Sequence, residues 1–302
     1  MKFISRLQIS NKIFLTLVWV SLIVVFILTF YPMYYVLIYS LNEPLAQAPG
    51  LMWWPREFTT LAYRTILRSQ LVHRAFMISV ARSTIGPLGM LVVTMLIAYP
   101  LSIRILPGRR VLNWYFVLTM YISAGLIPSF LLMFNLGLLE SFWVYILPGL
   151  VNVFGMIIIR TYMENLPDSL TESAEIDGAG LFRIFTQIVV PLCLPVMAAI
   201  TLFSAVGQWN AYADALIFNT RSEHLFPLQF VLVRMVHGLR FDAAHADQMM
   251  QMLEQQVDGR PLMTPRTMRM AITIVTIIPI TLIYPFLQRY FIKGLLIGSI
   301  KG

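Results

Sequence analysis

Charge is scarce in this chain. Only 12% of its 302 residues are Asp, Glu, Lys or Arg, against roughly 25% in a soluble domain. Hydrophobic residues make up 58%, and mean hydropathy is +0.76. That balance excludes a soluble globular protein and predicts a polytopic membrane protein. Cysteine is nearly absent. Cys193 lies alone in an apolar stretch, so no disulfide forms within the chain, and a packing role is expected. Acids are also few, 14 against 22 basic residues, for a net charge of +8. The long apolar runs exclude nucleic acid as the reason for that excess; cytoplasmic loops and lipid headgroups account for it.

Catalytic signatures are missing too. The chain has no Gly-rich Walker loop, so it does not bind ATP by that route, and it has no His-Glu-x-x-His zinc pair. No apolar span carries two acids that would make an intramembrane dyad. His224, His237 and His245 share one polar segment with Asp242 and Asp247, but their spacing fits no metal template, and solvated loop residues are the expectation. Nothing here supports an enzyme. No repeat and no low-complexity tract is visible.

What the chain does have is six apolar spans. Residues 1–12 carry Lys2, Arg6 and Lys12 without an acid, and Ile13 to Leu41 follows without any charge. A signal peptide has an apolar core of about 7–15 residues and a small-residue cleavage site. This run is longer and lacks such a site, so an uncleaved first span with a cytoplasmic N-terminus is expected. A polar connection with Pro44, Pro49 and Trp53-Trp54-Pro55 comes next. Its tryptophans suit the headgroup level, and 58–71 reads as a short surface helix. The second span is 75–103, the third 111–134, the fourth 142–159, the fifth 191–206 and the sixth 268–286. Gly207 to Thr267 is the longest polar segment, and Arg289, Lys293 and Lys301 mark the tail. The loop at 135–141 has no Lys or Arg, whereas the loop at 104–110 has three. The positive-inside rule then places 104–110, 160–187 and the tail in the cytoplasm.

Arg82 stands within the second span, where an arginine costs at least about 2.5–3.5 kcal/mol. It must face a partner, a cavity or the outer interface, or else snorkel from the membrane edge.

Residues 166–195 are neither strongly apolar nor loop-like. Ser169-x-x-Glu172 reads as a capping box, and Gly178 and Gly180 as helix stops. Leu170 and Ala174 share one helical face. A second amphipathic piece, 181–188, leads to Pro191 and Pro195. The stretch describes a short helix, a sharp turn and a second helix entering the membrane.

Glu172-Ser173-Ala174, three residues, Gly178, nine residues, then Ile188-Val189-Val190-Pro191 resembles the EAA loop of ABC-importer permease subunits. That pattern is E-A-A, three residues, G, nine residues, I-x-L-P. Ser173 stands for Ala and Val190 for Leu, and both swaps keep the helix face. Residues 75–290 look like the transmembrane domain of binding-protein-dependent importers, with 1–74 as an N-terminal helix and outer loop and 291–302 as a cytoplasmic tail. The ending at Lys301-Gly302 and the run Gly207-Gln208-Trp209-Asn210-Ala211-Tyr212 resemble maltose-type, oligosaccharide-carrying permeases.

The resemblance implies an all-α fold with six transmembrane helices and a cytoplasmic coupling helix. That helix would dock on an ATPase through Glu172, Ser173, Ala174, Asp177 and Gly178. It implies a second, homologous but non-identical permease subunit and two ATPase subunits. It also implies an extracytoplasmic sugar-binding protein. No cofactor belongs to this chain, since ATP and Mg would sit on the ATPases. Location would be a bacterial inner membrane, with both termini cytoplasmic. Arg82, Trp209, Asn210, Tyr212 and Asp214 suit a sugar path, because aromatic faces stack on pyranose C–H surfaces while amides and carboxylates bond hydroxyls. An interface belt at the end of the fifth span suits Trp209 and its neighbours equally. Arg221, Arg234, Arg240, Arg260, Arg266 and Arg269 would attract an acidic oligosaccharide, contact the binding protein, or simply be solvated. Two rival readings are a secondary transporter driven by an ion gradient and a non-transporting membrane scaffold.

Overall fold

The computed structural model describes residues 2–43, 50, 52–241 and 264–299. Expectations resting on Pro44, Pro49, Asp242, His245, Asp247, Arg260 and Lys301-Gly302 lie outside these residues, as do those on the side chains of Lys2, Arg6, His237, Arg240, Arg289 and Lys293. The chain is all-α, as the resemblance implies. Among the described residues the one β-type pairing is an isolated bridge between Asn42 and Phe58.

The described residues form two compact units. The first holds α1 (Lys2–Ser40), α2 (Leu61–Arg68) and the part of α13 (Pro265–Ser299) up to Val275. From Phe14 to Phe30 the large apolar side chains of α1 are exposed, with Trp19 at 65%. Such a surface is stable only against lipid or another apolar partner. The C-terminal end of α1 is pinned instead. Tyr34 donates to the Trp53 carbonyl at 2.9 Å, and the Tyr31 and Trp53 rings lie 5.1 Å apart. Asn42 is buried and accepts from the backbone N–H groups of Arg56 and Glu57, both at 3.0 Å. The surface helix expected over 58–71 is α2, with Ala62, Thr65 and Ile66 inward and Arg64 and Arg68 exposed.

The second unit is built on α3 (Gln70–Ser102). It runs as one helix through Pro87 and Pro100 and packs against α6 (Val153–Glu164) and α10 (Leu194–Asn210). Met90, Met95, Ala98 and Leu101 from α3, Met156, Ile159 and Met163 from α6, and Ile200 from α10 form one buried cluster. Cys193 belongs to that cluster at 0% exposure, the packing role its apolar setting predicts.

The helices depart from straight spans in three places. The third span is not one helix. It is α4 (Arg109–Tyr121) and α5 (Leu126–Asn135), bent by 112° at Gly125, whose φ of 81° few other residues adopt. The fourth begins with 3₁₀ turns at Phe142–Tyr145 and Leu147–Gly149 and meets α6 at 44°. The fifth is approached by α8 (Leu181–Ile184), a π-helical turn at Phe185–Val189 and α9 (Val190–Leu192), and then bends by 75° into α10. Pro191 and Pro195 have no N–H to give the carbonyls four residues back, so two rungs of the ladder are missing where the helix widens and bends. Among the described residues, three unbroken helices and three bent pairs are long and apolar enough for six crossings, if each pair crosses once.

The polar segment after the fifth span is also more ordered than a loop. It holds α11 (Ala213–Phe218) and α12 (Leu228–Phe241), and α12 packs on α3. Phe226, Leu228, Phe230 and Val231 are buried, and the Leu228 N–H donates to Ser79 Oγ at 2.7 Å.

Gly155 lets α6 approach α10. A Cβ there would lie 2.9 Å from Ile200 Cγ2. Close small-residue contacts of this kind hold membrane helices together. Gly155→Val should destabilise the detergent-solubilised protein by about 1–3 kcal/mol through overpacking. Adding Ile200→Ala should restore part of the lost thermal stability, and no restoration would mean that the contact is not the cause.

Candidate functional site

The segment that resembles an EAA loop forms α7 (Asp168–Ile176). The capping box does not form. Pro167 occupies the N-cap and the helix begins two residues early, so Ser169 lies inside the first turn, where its carbonyl accepts from Ser173 Oγ at 2.8 Å. Proline suits this start because the first N–H groups of a helix lack partners anyway. The end does follow the sequence. Gly178 has a φ of 78°, its N–H donates to the Glu175 carbonyl at 3.0 Å, and Ala179 N–H donates to Ala174 carbonyl at 2.9 Å. These two bonds make a Schellman stop. Gly180 does something else: in extended backbone, it is the N-cap of α8.

Two faces of α7 differ. Ala174 is half-buried and, with Ala179, packs against the buried cluster of α3 and α6. Glu172, Ser173, Asp177 and Gly178 are exposed, and Ile176 is 87% exposed. Phe182 is exposed just beyond the turn. So α7 is attached by its small residue and offers acids beside uncovered apolar groups.

The other functional candidates meet around Arg82, which is fully buried. Its Nε and Nη2 donate to Gln208 Oε1 at 3.0 and 2.9 Å. Nη1 donates to the Ala211 carbonyl at 3.2 Å and to Asp214 Oδ1 at 3.3 Å. Nη2 also pairs with Asp214 Oδ2. All five guanidinium protons are thereby engaged, and the Tyr145 ring lies 4.4 Å from the guanidinium carbon. Gln208 is held in turn, donating to the Tyr145 carbonyl at 3.1 Å.

Arg82 therefore faces a partner; it neither snorkels nor offers a donor to a solute in this structure. Trp209 is corrected likewise. It is 6% exposed, edge-on to Phe76 at 6.0 Å, and its Nε1–H donates to the Thr276 carbonyl at 3.1 Å, which makes it a packing anchor. Asn210 and Tyr212 are exposed at the end of α10, and Asp214 is partly so. Of the other arginines, Arg234 lies 5.3 Å over the Phe226 ring and Arg221 is exposed; within the first unit, Arg266 lies 4.6 Å over Tyr39.

Sequence reasoning assigned no individual role to Gln208, Tyr145 or Glu140. Gln208 was legible as the amide closing the fifth span, but nothing local tells which arginine it serves. Glu140 adopts φ 54°, and its carboxylate accepts from the backbone N–H groups of Arg221 at 3.1 Å and Ser222 at 2.8 Å. Burial alone would raise its pKa. The bonds from Ser222 and the Arg221 and Ser222 backbone outweigh that, with help from the Arg221 charge, and hold the carboxyl below the usual glutamate range.

An all-α bundle of apolar helices that carries an exposed short helix, α7, between two of its spans fits one class: a transport permease. Residues 105–297 match the family described as binding-protein-dependent transport system inner membrane component, and the chain belongs to that family. It is 39% identical over 251 residues to the polygalacturonan/rhamnogalacturonan transport system permease protein YtcP of Bacillus subtilis, covering 82% of this chain and 84% of that one. It is 34% identical over 277 residues to Protein LplC of the same organism, covering 91% and 90%. A solved bacterial ABC transporter involved in importing the acidic polysaccharide alginate has a chain 29% identical to this one, with a TM-score of 0.83 over 93% of this chain and 98% of that one.

Asp214→Ala should leave the Arg82 charge buried without its acid. The expected loss is about 3 kcal/mol, at the low end for a buried pair because the Asp214 side chain is 23% exposed. Arg82→Met with Asp214→Leu should lose much less, and additive losses in thermal melts would refute the coupling. Glu140 gives a pH signature. Its pKa is depressed in the folded chain, so its contribution is fully present above the ordinary glutamate value of about 4.3 and is lost as pH falls through the folded value. Amide protection factors at 219–222, which correct for the intrinsic slowing of exchange in acid, should fall as pH drops through the folded value, and Glu140→Gln should abolish that pH dependence.

Proposed function

We propose that this chain is a permease subunit of an ATP-driven importer for oligosaccharides, acidic ones above all. The observation that carries this is α7: a short helix fixed to the bundle by Ala174 and a Schellman turn, presenting Glu172, Asp177 and Ile176 outward. A chain without its own ATP site needs such a handle, because free energy released elsewhere must reach it through a contact. On this reading α7 faces the cytoplasm, as do both termini. Two ATPase subunits carry ATP and Mg, and no cofactor belongs to this chain. A homologous, non-identical second permease completes the pore, and an extracytoplasmic binding protein delivers the sugar.

Closure of the ATPase pair would push α7, and the push would pass through α8 and the π turn into α10. The bundle would then switch between outward-facing and inward-facing states. Glu172 would meet a basic group on the ATPase in a charge-assisted bond that fixes orientation. The secondary-transport alternative asks for a titratable relay in the bundle. Arg82 fits that role poorly, because its protons are all committed to fixed partners.

The substrate class follows from relatives named for polygalacturonan/rhamnogalacturonan and for the acidic polysaccharide alginate. The exposed Asn210 and Tyr212, with Arg221 nearby in sequence, supply an amide, an aromatic face and a cation suited to an acidic sugar. These three are the best candidates for the path.

Glu172→Lys should insert normally but lower uptake and sugar-stimulated ATP turnover about tenfold or more, as expected for reversing a charge-assisted contact. Wild-type uptake in the same vesicles would collapse the coupling role if the variant matched it. Oligogalacturonides should compete for uptake where neutral maltooligosaccharides do not; the opposite order would remove the acidic-substrate assignment and leave the coupling role standing.

A further inference from the structure

The bundle has a second charged cluster, at the end of α3 opposite Arg82. Arg109 Nε donates to the Leu101 carbonyl at 2.7 Å, one of the carbonyls left over where α3 stops. Its Nη2 pairs with Glu164. Arg160 lies 3.4 Å from the same Glu164 oxygen, one helical turn away, and its Nη1 donates to Asn113 Oδ1. These groups close one side of a cleft of about 680 Å³ lined also by Arg104, Arg110 and Trp114.

Charge in this cleft is unbalanced. Four guanidinium groups line it, and Glu164 is the one carboxylate bonded to any of them among the described residues. Arg104 and Arg110 are exposed and reach no acid. Arg160 Nε is out of solvent and makes no hydrogen bond, although its ion pair with Glu164 is close. Arg160 and Arg109 thus share a single carboxylate, so one acid serves two cations and the cleft keeps a positive excess.

Beside the cleft, α4 presents a different chemistry. Val111, Leu112, Trp114 and Tyr115 are all exposed, Val111 at 72%. An apolar strip leading to a cluster of arginines, with an indole at the boundary, matches an amphipathic anion: acyl chains along α4, a phosphate among the guanidinium groups. Arginine suits this because its planar fork meets phosphate oxygens in pairs.

We infer that the Arg104–Arg110–Arg160 cleft is a binding site for the phosphodiester headgroup of an anionic phospholipid. The site is independent of the substrate path and of the α7 contact. It would fix the end of α3, where α4 begins and α6 leads into α7, to the membrane surface.

The assembled transporter should be placed in nanodiscs of phosphatidylcholine containing graded phosphatidylglycerol, and retained lipid counted by native mass spectrometry. Wild type should keep phosphatidylglycerol in preference to phosphatidylcholine. Arg104→Gln with Arg110→Gln should lower that preference about tenfold or more, since each cation near the surface contributes severalfold. Arg104→Lys with Arg110→Lys should retain most of it, which separates headgroup binding from misfolding. Equal retention of both lipids by wild type, or an unchanged preference in the glutamine variant, would overturn the assignment. Displacement of phosphatidylglycerol by millimolar inorganic phosphate would overturn the lipid as occupant and make the cleft a site for free phosphate.

Discussion

A guanidinium inside an apolar bundle dictates terms to everything near it. The desolvation of the Arg82 charge has to be offset group by group. The chain does this with one carboxylate, one amide, one carbonyl and one aromatic ring, drawn from two segments far apart in sequence, Tyr145 and residues 208–214. Each partner comes from a place where regular helix stops. Ala211 is the C-cap of α10, so its carbonyl lacks an intrahelical donor. Asp214 lies in the first turn of α11, where a carboxylate is favoured by the helix dipole. Tyr145 ends a 3₁₀ turn. Irregular backbone at membrane depth is tolerated where protein covers it. Here the arginine and the broken helix ends satisfy each other, and neither would be stable alone.

The opposite end of the bundle uses the same chemistry less completely. Arg109 caps α3 and shares Glu164 with Arg160, but this set lacks a second acid and a second amide. The contrast explains why one cluster is sealed and the other opens to a cleft. Around Arg82 the acceptors match the donors. Around Arg160 they fall short, and a charge in excess of its acceptors keeps a route to water or to an anion.

The sequence was legible wherever one residue type decides the local outcome. Apolar length gave the membrane class and the spans. The spacing from Glu172 to Pro191 gave the α7 hairpin and its family. Gly178 gave the turn, because a left-handed φ there strongly favours glycine. Reading failed where the outcome depends on a distant partner. The capping box was chemically sound, but Pro167 offered an earlier start. The third span looked continuous because hydropathy does not register a 112° bend at Gly125. Trp209 looked like a path or belt residue until Thr276, 67 residues later, took its N–H. The α12 helix was hidden inside a segment taken as polar, although Phe226 to Val231 is mostly apolar.

Pro191 and Pro195 bear on how the proposed coupling would work. A lever needs stiff parts and a joint. The stiff parts are α7 with its Schellman lock and α10 with its packing on α3 and α6. Between them Pro191 deprives the Gln187 carbonyl of its rung and Pro195 deprives the Pro191 carbonyl of the next. The first gap lies at the π turn, the second at the 75° bend. Yet the joint is not loose, because Phe185, Val189 and Cys193 bury their side chains in the cluster shared with α3 and α6. Bending at this point changes few hydrogen bonds, since two are already missing, but it must slide those three side chains across a packed surface. Such a contact moves between discrete packings rather than by gradual flexing. A joint of that kind converts a push on α7 into a choice between two arrangements of the bundle.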